Sequence, residues 1–409
     1  MKIIRGKMKN ILKYLILIYL LILAIVSQNI AQVDMYGYFE SEGDYMMFEK
    51  DDFYFGYNKF RLDLLGISGE KVEVGTDIIY KNFNGKTTWN LMNFIPEKYC
   101  PISEYPYIMS DTLFLDNAYL QLEMNNFRII LGRQQISSGV GYAWNPTDIF
   151  NMKDIMDPTY EQTGVDAITV EIPVGLGGNF TGILQPKNNW DRTTKYIKYK
   201  HNIGQFDVSL SYGQKRKIFN YVNFIDSLSY DFSQEMYGAN IVGELLGIGV
   251  WTEFGIYDHD LKDLMYTSTW REPNAIQENK FYYEYVIGMD YTFENSLYLM
   301  GEYFHTDFGV EKNANNFNHY MDYFQSNIHG LNKNYVFTNV MYPINGLITI
   351  GMFNIANLDD KSVVFNPQIK YLLSNNVEIN FIGSIFYGDE DLEFGLQNYN
   401  FRLRLKAYF

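Results

Sequence analysis

The sequence predicts an all-β protein, a single transmembrane antiparallel β-barrel of about 18 strands. Apolar and polar residues alternate in short runs from one end of the chain to the other, which is the period of a β-strand with two different faces. Short turns also alternate with long polar connections. That layout is typical of a barrel that spans a membrane, with short periplasmic turns and long extracellular loops.

The N-terminus has the layout of a secretory signal peptide. Five basic residues precede an uncharged, mostly aliphatic run at 14–26, and Ala31 stands at a suitable cleavage point. We therefore expect a signal peptide over 1–31 and a barrel over 32–409. An uncleaved N-terminal anchor is the alternative, because Asn29 is an imperfect residue at position −3 for cleavage after Ala31.

Composition narrows the possible partners. The formal net charge is −15, and without 1–31 the remaining 28 Lys and Arg face 48 Asp and Glu. This acidic balance argues against nucleic acid as a partner. The single cysteine, Cys100, excludes an intrachain disulfide and a thiolate metal cluster, and we expect no cofactor. The 36 Tyr and 30 Phe are spread evenly without a linker, which favours one continuous architecture.

Eight hairpins set the expected strand count. The first runs from an alternating stretch at 59–66 through a turn at 68–71 into a second alternating stretch at 72–80. Further short turns are expected near 125–126, 175–178, 204, 246–247, 294–296, 343–346 and 374–376.

Longer polar connections join the hairpins at about 44–53, 82–113, 136–165, 187–195, 215–235, 258–280, 306–334, 356–362 and 388–397. Eight turns and nine such loops join eighteen strands. Two places weaken this count: the strand near 196–202 is short, and Pro367 would remove a ladder donor from a closed sheet. Sixteen strands is therefore the alternative, and either even number puts both termini on the periplasmic side.

The last nine residues show what lies on each side of the barrel wall. Phe401, Leu403 and Leu405 alternate with Arg402, Arg404 and Lys406, so the apolar face is expected to meet lipid and the basic face the lumen. A final strand that ends in Phe, here Phe409, resembles the C-terminal signal that the barrel-insertion machinery of the bacterial outer membrane recognises. The resemblance implies a Gram-negative outer-membrane location, with lipid and lipopolysaccharide as neighbours.

A barrel of eighteen strands is about 35 Å across, too wide for side chains alone to fill. The stretch at 132–158 is the candidate for a loop folded into the lumen, since its glycines allow tight bends and its prolines stop strands. Its GRQ-to-WNPTD part resembles the corresponding segment of porin-like outer-membrane barrels related to the alginate-export type. That resemblance implies a passive channel.

The candidate constriction residues carry opposite charges. Within the loop, Tyr142 and Trp144 would narrow the passage, and the carboxylates would come from Asp148, Asp154 and Asp157. Opposite them we expect a basic wall of Lys59, Arg61, Arg128, Arg402, Arg404 and Lys406. Charges of opposite sign across a lumen orient dipolar solutes and filter ions. Alternatively, these cations only neutralise neighbouring lumenal carboxylates such as Glu40, Asp63 and Glu73.

The function predicted from these features is passive diffusion of small hydrophilic solutes, such as sugars or organic ions, through a porin-like channel. The alternative is a surface receptor, an adhesin or a structural barrel that acts through its long loops near 82–113 and 306–334. We expect no enzymatic activity, because no Ser, His and acid spacing is diagnostic of a hydrolase. The particular solute and the oligomeric state stay open.

Overall fold

A computed structural model describes residues 32–48, 52–100, 103–157, 160–222, 227–258, 281–310, 317–325 and 327–409. The expected signal peptide over 1–31 lies outside the described residues. So does Pro158, at the end of the candidate lumenal loop.

The described chain forms twenty strands, one α-helix and two short 3₁₀ turns. The strands are β1 (Gln32–Phe48), β2 (Asp52–Ser68), β3 (Val72–Gly85), β4 (Thr88–Asn90), β5 (Pro106–Ile108), β6 (Thr112–Glu123), β7 (Arg128–Gln134), β8 (Val165–Val174), β9 (Gly178–Gln185), β10 (Thr194–Ile203), β11 (Phe206–Val222), β12 (Ser227–Leu245), β13 (Ile248–Tyr257), β14 (Tyr282–Thr292), β15 (Tyr298–Thr306), β16 (Asn334–Pro343), β17 (Ile348–Asn357), β18 (Ser362–Ser374), β19 (Val377–Tyr387) and β20 (Gln397–Tyr408). The helix is α1 (Phe317–Phe324), and the 3₁₀ turns are Leu91–Phe94 and Glu97–Tyr99.

Eighteen of these strands form one closed antiparallel barrel. Each barrel strand pairs with its neighbours in the chain, and β1 pairs with β20 to close the ring. The two remaining strands, β4 and β5, pair with each other in an outer loop. The expected all-β barrel of eighteen strands is therefore confirmed, and the alternative of sixteen is wrong.

The two weak places in the count are both full barrel strands. β10, expected near 196–202, spans Thr194–Ile203 and pairs with β9 and β11 along its length. Pro367 lies inside β18, where the pairing with β19 is interrupted between Phe365 and Gln368. The missing N–H of Pro367 therefore falls at a gap in that ladder.

Two expected loops are largely strand. β11 and β12 continue through most of 215–235, and β1 and β2 leave only three residues between them where a connection at 44–53 was expected. The reason is physical: where a hairpin extends beyond the membrane, both of its faces meet water or polar groups, so its polar sequence does not distinguish strand from loop.

The outer face of the barrel is apolar. Leu403 is 55% exposed and its cross-strand partner Phe381 is 40% exposed. Arg404, the next residue on β20, is 3% exposed and faces inward. A closed barrel leaves no unpaired strand edge in hydrocarbon, so an apolar outer belt is stable there. Phe409 ends the chain against the first hairpin, where its ring stacks 5.7 Å from that of Phe60 and its backbone bonds to Gly37. No helix in the described ranges is long and apolar enough to cross a membrane.

Outer connections meet over one mouth of the barrel and form what we call the cap, made of the described residues 86–100, 103–111, 317–325, 327–333 and 388–396. Met92 and Ile95 pack with Tyr320 and Leu331 in one buried cluster. The loop after β3 and the loop between β15 and β16 start on distant sides of the ring, so this packing bridges the opening. The Lys98 ammonium lies 3.0 Å from the Asp391 carboxylate and ties the third connection to the first.

Cys100 lies in the first cap connection. Its thiol donates to the carbonyl oxygens of Ile95 at 3.6 Å and Met92 at 3.8 Å. Burial raises the pKa of the Cys100 thiol above its ordinary value.

The lipid-facing row predicts the effect of a charge. Leu403→Arg should lower the free energy of unfolding by about 2–4 kcal/mol, because Leu403 faces outward near the middle of β20 and a cation there is costly in hydrocarbon. Leu246→Arg, in the exposed turn between β12 and β13, is the matched control and should cost about 0–1 kcal/mol. Denaturant titration of the barrels folded in lipid vesicles measures both, and equal losses would contradict the assigned lipid face.

Candidate functional site

The described residues of the connection from β7 to β8, 135–157 and 160–164, fold into the lumen, and we call them the inward segment. Its residues 143–148 are all buried. The segment contacts barrel strands on both sides of the lumen.

One carboxylate on β13 binds three backbone groups of the inward segment. Glu253 is fully buried and accepts hydrogen bonds from the amides of Val140 at 2.6 Å, Gly141 at 3.0 Å and Thr147 at 2.5 Å. A buried loop cannot satisfy its amides with water, so each needs a partner within the protein. Bonds to an ionised acceptor are stronger than neutral ones.

A second carboxylate repeats the arrangement two strands further round the barrel. Glu302 on β15 accepts from the amides of Tyr142 at 2.5 Å, Ala143 at 2.7 Å and Trp144 at 3.0 Å. The indole N–H of Trp251 donates to the same carboxylate at 2.7 Å. Glu253 and Glu302 together fix the turn at 140–147 against this wall.

Lysines bind the carbonyl oxygens of the inward segment. The ammonium groups of Lys198 and Lys215 donate to Ser138 O at 2.7 Å and Ile149 O at 2.6 Å. Lys153, within the segment, donates to Gly141 O at 2.7 Å, and burial lowers its pKa. Backbone amides of the inward segment therefore donate to carboxylates, and its backbone carbonyls accept from ammonium groups.

The far end of the inward segment binds a set of five cations that we call the charged wall: Lys59, Arg61, Arg402, Arg404 and Lys406. Asp157 lies 2.8 Å from Arg404 Nη2 and 3.6 Å from Arg402 Nη1. Glu161 lies 2.8 Å from Lys59 Nζ, 3.0 Å from Lys406 Nζ and 3.4 Å from Arg61 Nη1.

The two sets of contacts lie on opposite sides of the barrel. β2, which carries Lys59 and Arg61, is nine strands from β13 in either direction round the ring. The inward segment thus spans the lumen from the Glu253 side to the charged wall.

The charged wall also carries its own carboxylates. The Arg61 guanidinium group lies 2.7 Å from the carboxylate of Asp63, 2.8 Å from that of Asp77 and 3.3 Å from that of Asp116. Arg402 lies 3.3 Å from Asp44, and Lys406 lies 3.6 Å from Glu40. Arg404 binds Glu42. The cations therefore pair both with neighbouring barrel carboxylates and with the inward segment.

A β-bulge places one of these carboxylates. The register between β3 and β6 shifts between Asp77 and Ile78, which leaves Asp116 as the extra residue beside Asn117. Asp116 is buried and turned inward, where it reaches Arg61 and accepts from the amide of Gly164 at 3.3 Å.

The structure brings part of the predicted residue set together. Asp157 meets Arg402 and Arg404 as expected from the sequence. Tyr142 is 45% exposed, with its ring 5.5 Å from that of Phe337, and lines an open cavity with Asp154.

Other predicted residues are placed elsewhere. Asp148 is buried within its own loop, where it accepts from the amides of Phe150 at 2.9 Å and Asn151 at 3.1 Å rather than facing the arginines. Trp144 is 4% exposed and stacks on Phe304 at 5.1 Å, so its ring is packed rather than open to a passage. Arg128 binds Glu123 and Glu171 at the turn end of the barrel, away from the charged wall.

Several cavities lie between the inward segment and the barrel wall, and two of them adjoin each other. One of about 250 Å³ lies against the charged wall and is lined by Glu40, Lys59, Lys81, Asp116, Glu161 and Arg404, among others. The other, of about 220 Å³, lies between Tyr142, Phe337 and Asn339. Asp154, Asp157 and Tyr160 line both, so the two cavities adjoin.

Sequence reasoning missed the strongest anchors. Glu253 and Glu302 face inward by strand alternation, and an inward carboxylate is a signal that a partner must exist, but the sequence does not say which one. Glu161 lies in the expected connection at 136–165 but beyond the candidate lumenal loop at 132–158, and no neighbouring residue distinguishes it. Within the described ranges, no group of three or more His, Cys, Asp or Glu side chains could hold a metal ion.

Comparison with known proteins supports the fold. No family model matches the sequence, and no curated protein matches it. Among solved structures, the chain is similar to OccK5 (OpdH) of Pseudomonas aeruginosa, with 11% identity, a TM-score of 0.53 and coverage of 92% of this chain and 98% of that one. It is also similar to the outer membrane protein OprD of the same organism, with 9% identity, a TM-score of 0.52 and coverage of 92% and 93%.

These likenesses show a porin-type outer-membrane barrel fold, as the sequence predicted. The matches to OprD and OccK5 give no support to the narrower resemblance to alginate-export barrels.

The carboxylate of Glu302 should be required to hold the inward segment. Glu302→Gln replaces one acceptor oxygen by a donor that faces backbone amides, and should lower the free energy of unfolding by about 2–3 kcal/mol. Thermolysin should also cut within 135–164 faster than in the parent. Glu294→Gln, in the exposed turn between β14 and β15, is the control. Equal cleavage of both variants would mean that Glu302 does not hold the segment.

The attachment to the charged wall should weaken only in strong acid. Burial alone would raise the pKa of Glu161, but Lys59 and Lys406 favour its charged form and the pKa lies at about 2, below the ordinary 4.5. A carboxyl with a depressed pKa stabilises the fold above its unfolded pKa and loses this effect as the pH falls toward the folded pKa. The stability difference between the parent and Glu161→Gln should thus be constant above about pH 5 and disappear near pH 2. Urea titrations across this range measure it, and a difference that does not change with pH would contradict the ion pairing.

Proposed function

We propose that the chain is an outer-membrane channel for passive diffusion of small hydrophilic solutes, such as sugars or organic ions. In this proposal residues 1–31 direct export and residues 32–409 form the barrel. The observation that carries the proposal is a pair of adjoining cavities beside the inward segment, one against the charged wall and the other against Phe337 and Asn339.

The lining of these cavities supports a hydrophilic solute. Carboxylate, ammonium and guanidinium groups face the same space, so a polar solute can exchange its hydration shell for hydrogen bonds along the wall. An apolar solute would have to be placed against charges without compensation. Solved structures of similar fold include OprD and OccK5, which agrees with a channel of this type.

Asp154 and Asp157 are the proposed selectivity residues, with Arg402 and Arg404 opposite them. Asp157 contacts Arg404 at 2.8 Å and Arg402 at 3.6 Å, so these groups also hold the inward segment to the charged wall. They should affect permeation because an ion in a narrow passage feels the net local charge. Tyr142 narrows the same space from the side of β16.

Planar-bilayer recording tests the channel itself. Folded protein, identified by heat-modifiable migration on SDS gels, should give discrete single-channel steps, and liposomes that contain it should swell in small sugars. A folded barrel that stays silent in bilayers and does not admit sugars would contradict the proposal. That result would favour a role for the outer loops.

Charge substitutions should move the ion selectivity in opposite directions. In a KCl gradient, Asp157→Asn should shift the reversal potential toward anions and Arg402→Gln toward cations, each by on the order of a twofold change in permeability ratio, since each changes the net charge beside the passage. Glu70→Gln, in the exposed turn between β2 and β3, is the control. If Asp157→Asn and Arg402→Gln both leave the reversal potential of the parent unchanged, the passage runs elsewhere.

A further inference from the structure

Outward-facing cations are unevenly distributed around the barrel. In the eleven described strands from β13 through β20 to β3, no lysine or arginine occupies an outward position. On β10 and β11, by contrast, Lys195 and Arg216 lie on the outer face. They share this face with Ile197 and Ile218, which are 46% and 42% exposed on the same strands.

These two cations belong to a compact group that we call the rim cluster: Trp190, Arg192, Lys195, Arg216 and Asp231. Arg216 Nε and Arg192 Nη2 both lie 2.5 Å from the Asp231 carboxylate, one on each oxygen. Lys195 Nζ lies 4.8 Å from the centre of the Trp190 ring, which is 65% exposed. Asp231 therefore holds two guanidinium groups side by side on the outer surface.

The order of outward residues along β11 places the rim cluster at the boundary of the hydrocarbon. From the turn end toward the loop end the outward positions are Phe206, Val208, Leu210, Tyr212, Gln214, Arg216 and Ile218. Tyr212 packs beside Tyr237 with their ring centres 5.3 Å apart, an aromatic pair of the kind that marks the interface level of a membrane barrel. Arg216 lies two outward positions beyond Tyr212 along β11, and we place it at the depth of the lipid headgroups.

The chemistry of the rim cluster fits a phosphate. An arginine has five N–H donors in a planar fork that matches phosphate oxygens in pairs. Asp231 takes some of these donors from Arg192 and Arg216, and the remaining ones lie at the exposed rim. Three cations against one carboxylate leave the cluster with two net positive charges, and Trp190 adds an amphipathic ring suited to a headgroup layer.

We propose that the rim cluster binds a phosphate group of the phosphorylated glycolipid of the outer leaflet, lipopolysaccharide. In this arrangement Arg192 and Arg216 contact the phosphate and Lys195 supplies a further positive charge. The acyl chains of the same lipid lie against the apolar and aromatic face below, at Ile197 and Tyr212. The proposal is independent of solute transport, since every group in it lies on the outside of the barrel.

Lipid-binding measurements on the full chain in detergent test this assignment. The probe is bis-phosphorylated lipid A, with its dephosphorylated form and inorganic phosphate as separate arms, and native mass spectrometry counts bound lipid. Arg192→Gln with Arg216→Gln should weaken lipid A binding at least about tenfold, because each cation near an anionic lipid contributes severalfold in affinity. The double variant Arg192→Lys with Arg216→Lys keeps the charge but loses the paired donors, so its affinity for lipid A should lie between those of the parent and the Arg-to-Gln variant.

The control variant Lys98→Gln with Lys361→Gln removes the same charge from outer connections elsewhere on the barrel and should bind lipid A like the parent. Heat-modifiable migration confirms that each variant is folded. Equal affinity of the Arg-to-Gln variant and the parent, or equal binding of dephosphorylated lipid, would overturn the proposal. Tight binding of inorganic phosphate alone, with displacement of the lipid, would assign the cluster to free phosphate and overturn the lipid assignment.

Discussion

Binding of backbone amides by the Glu253 and Glu302 carboxylates is the interaction on which the interior of this barrel depends. The lumen of an eighteen-stranded barrel is too wide for side chains to fill, and a loop that enters it exposes its own amides and carbonyls to a partly dry space. Two buried carboxylates and a set of lysines satisfy these groups on one side. This side fixes the position from which Asp157 and Glu161 reach the opposite wall.

The barrel itself was predictable because its signals are local. Strand alternation and short turns each involve neighbouring residues, and they were sufficient for eighteen strands and for the inward face of Arg402 and Arg404. The prediction of strand or loop is wrong where residue polarity does not distinguish the two. The hairpin of β11 and β12 extends beyond the hydrocarbon, so both of its faces are polar. Its sequence lacks the apolar alternation that indicates a strand, and a loop was predicted there instead.

The candidate site was predictable only in part, because local periodicity does not indicate which residues pair over a long distance in the sequence. A carboxylate in a loop can bind its own backbone, as Asp148 does, or a distant cation, as Asp157 does, and the same residue type serves both. The inward position of Asp116 depends on a bulge whose signal lies in the register with β3. Glu253 and Glu302 could be placed on the inner face, but their partners are more than a hundred residues away along the chain.

The position of Cys100 in the cap has a practical consequence. The chain has a single cysteine, and its thiol lies in a connection that packs on α1 across the mouth, with its pKa raised by burial. Since thiolate is the reactive form, a reagent added from outside should react slowly while this packing holds. Separation of the first connection from α1 would expose the thiol and speed the reaction. The reaction rate of Cys100 thus reports movements at the mouth, and the rates with and without an added solute can be compared without engineering any residue.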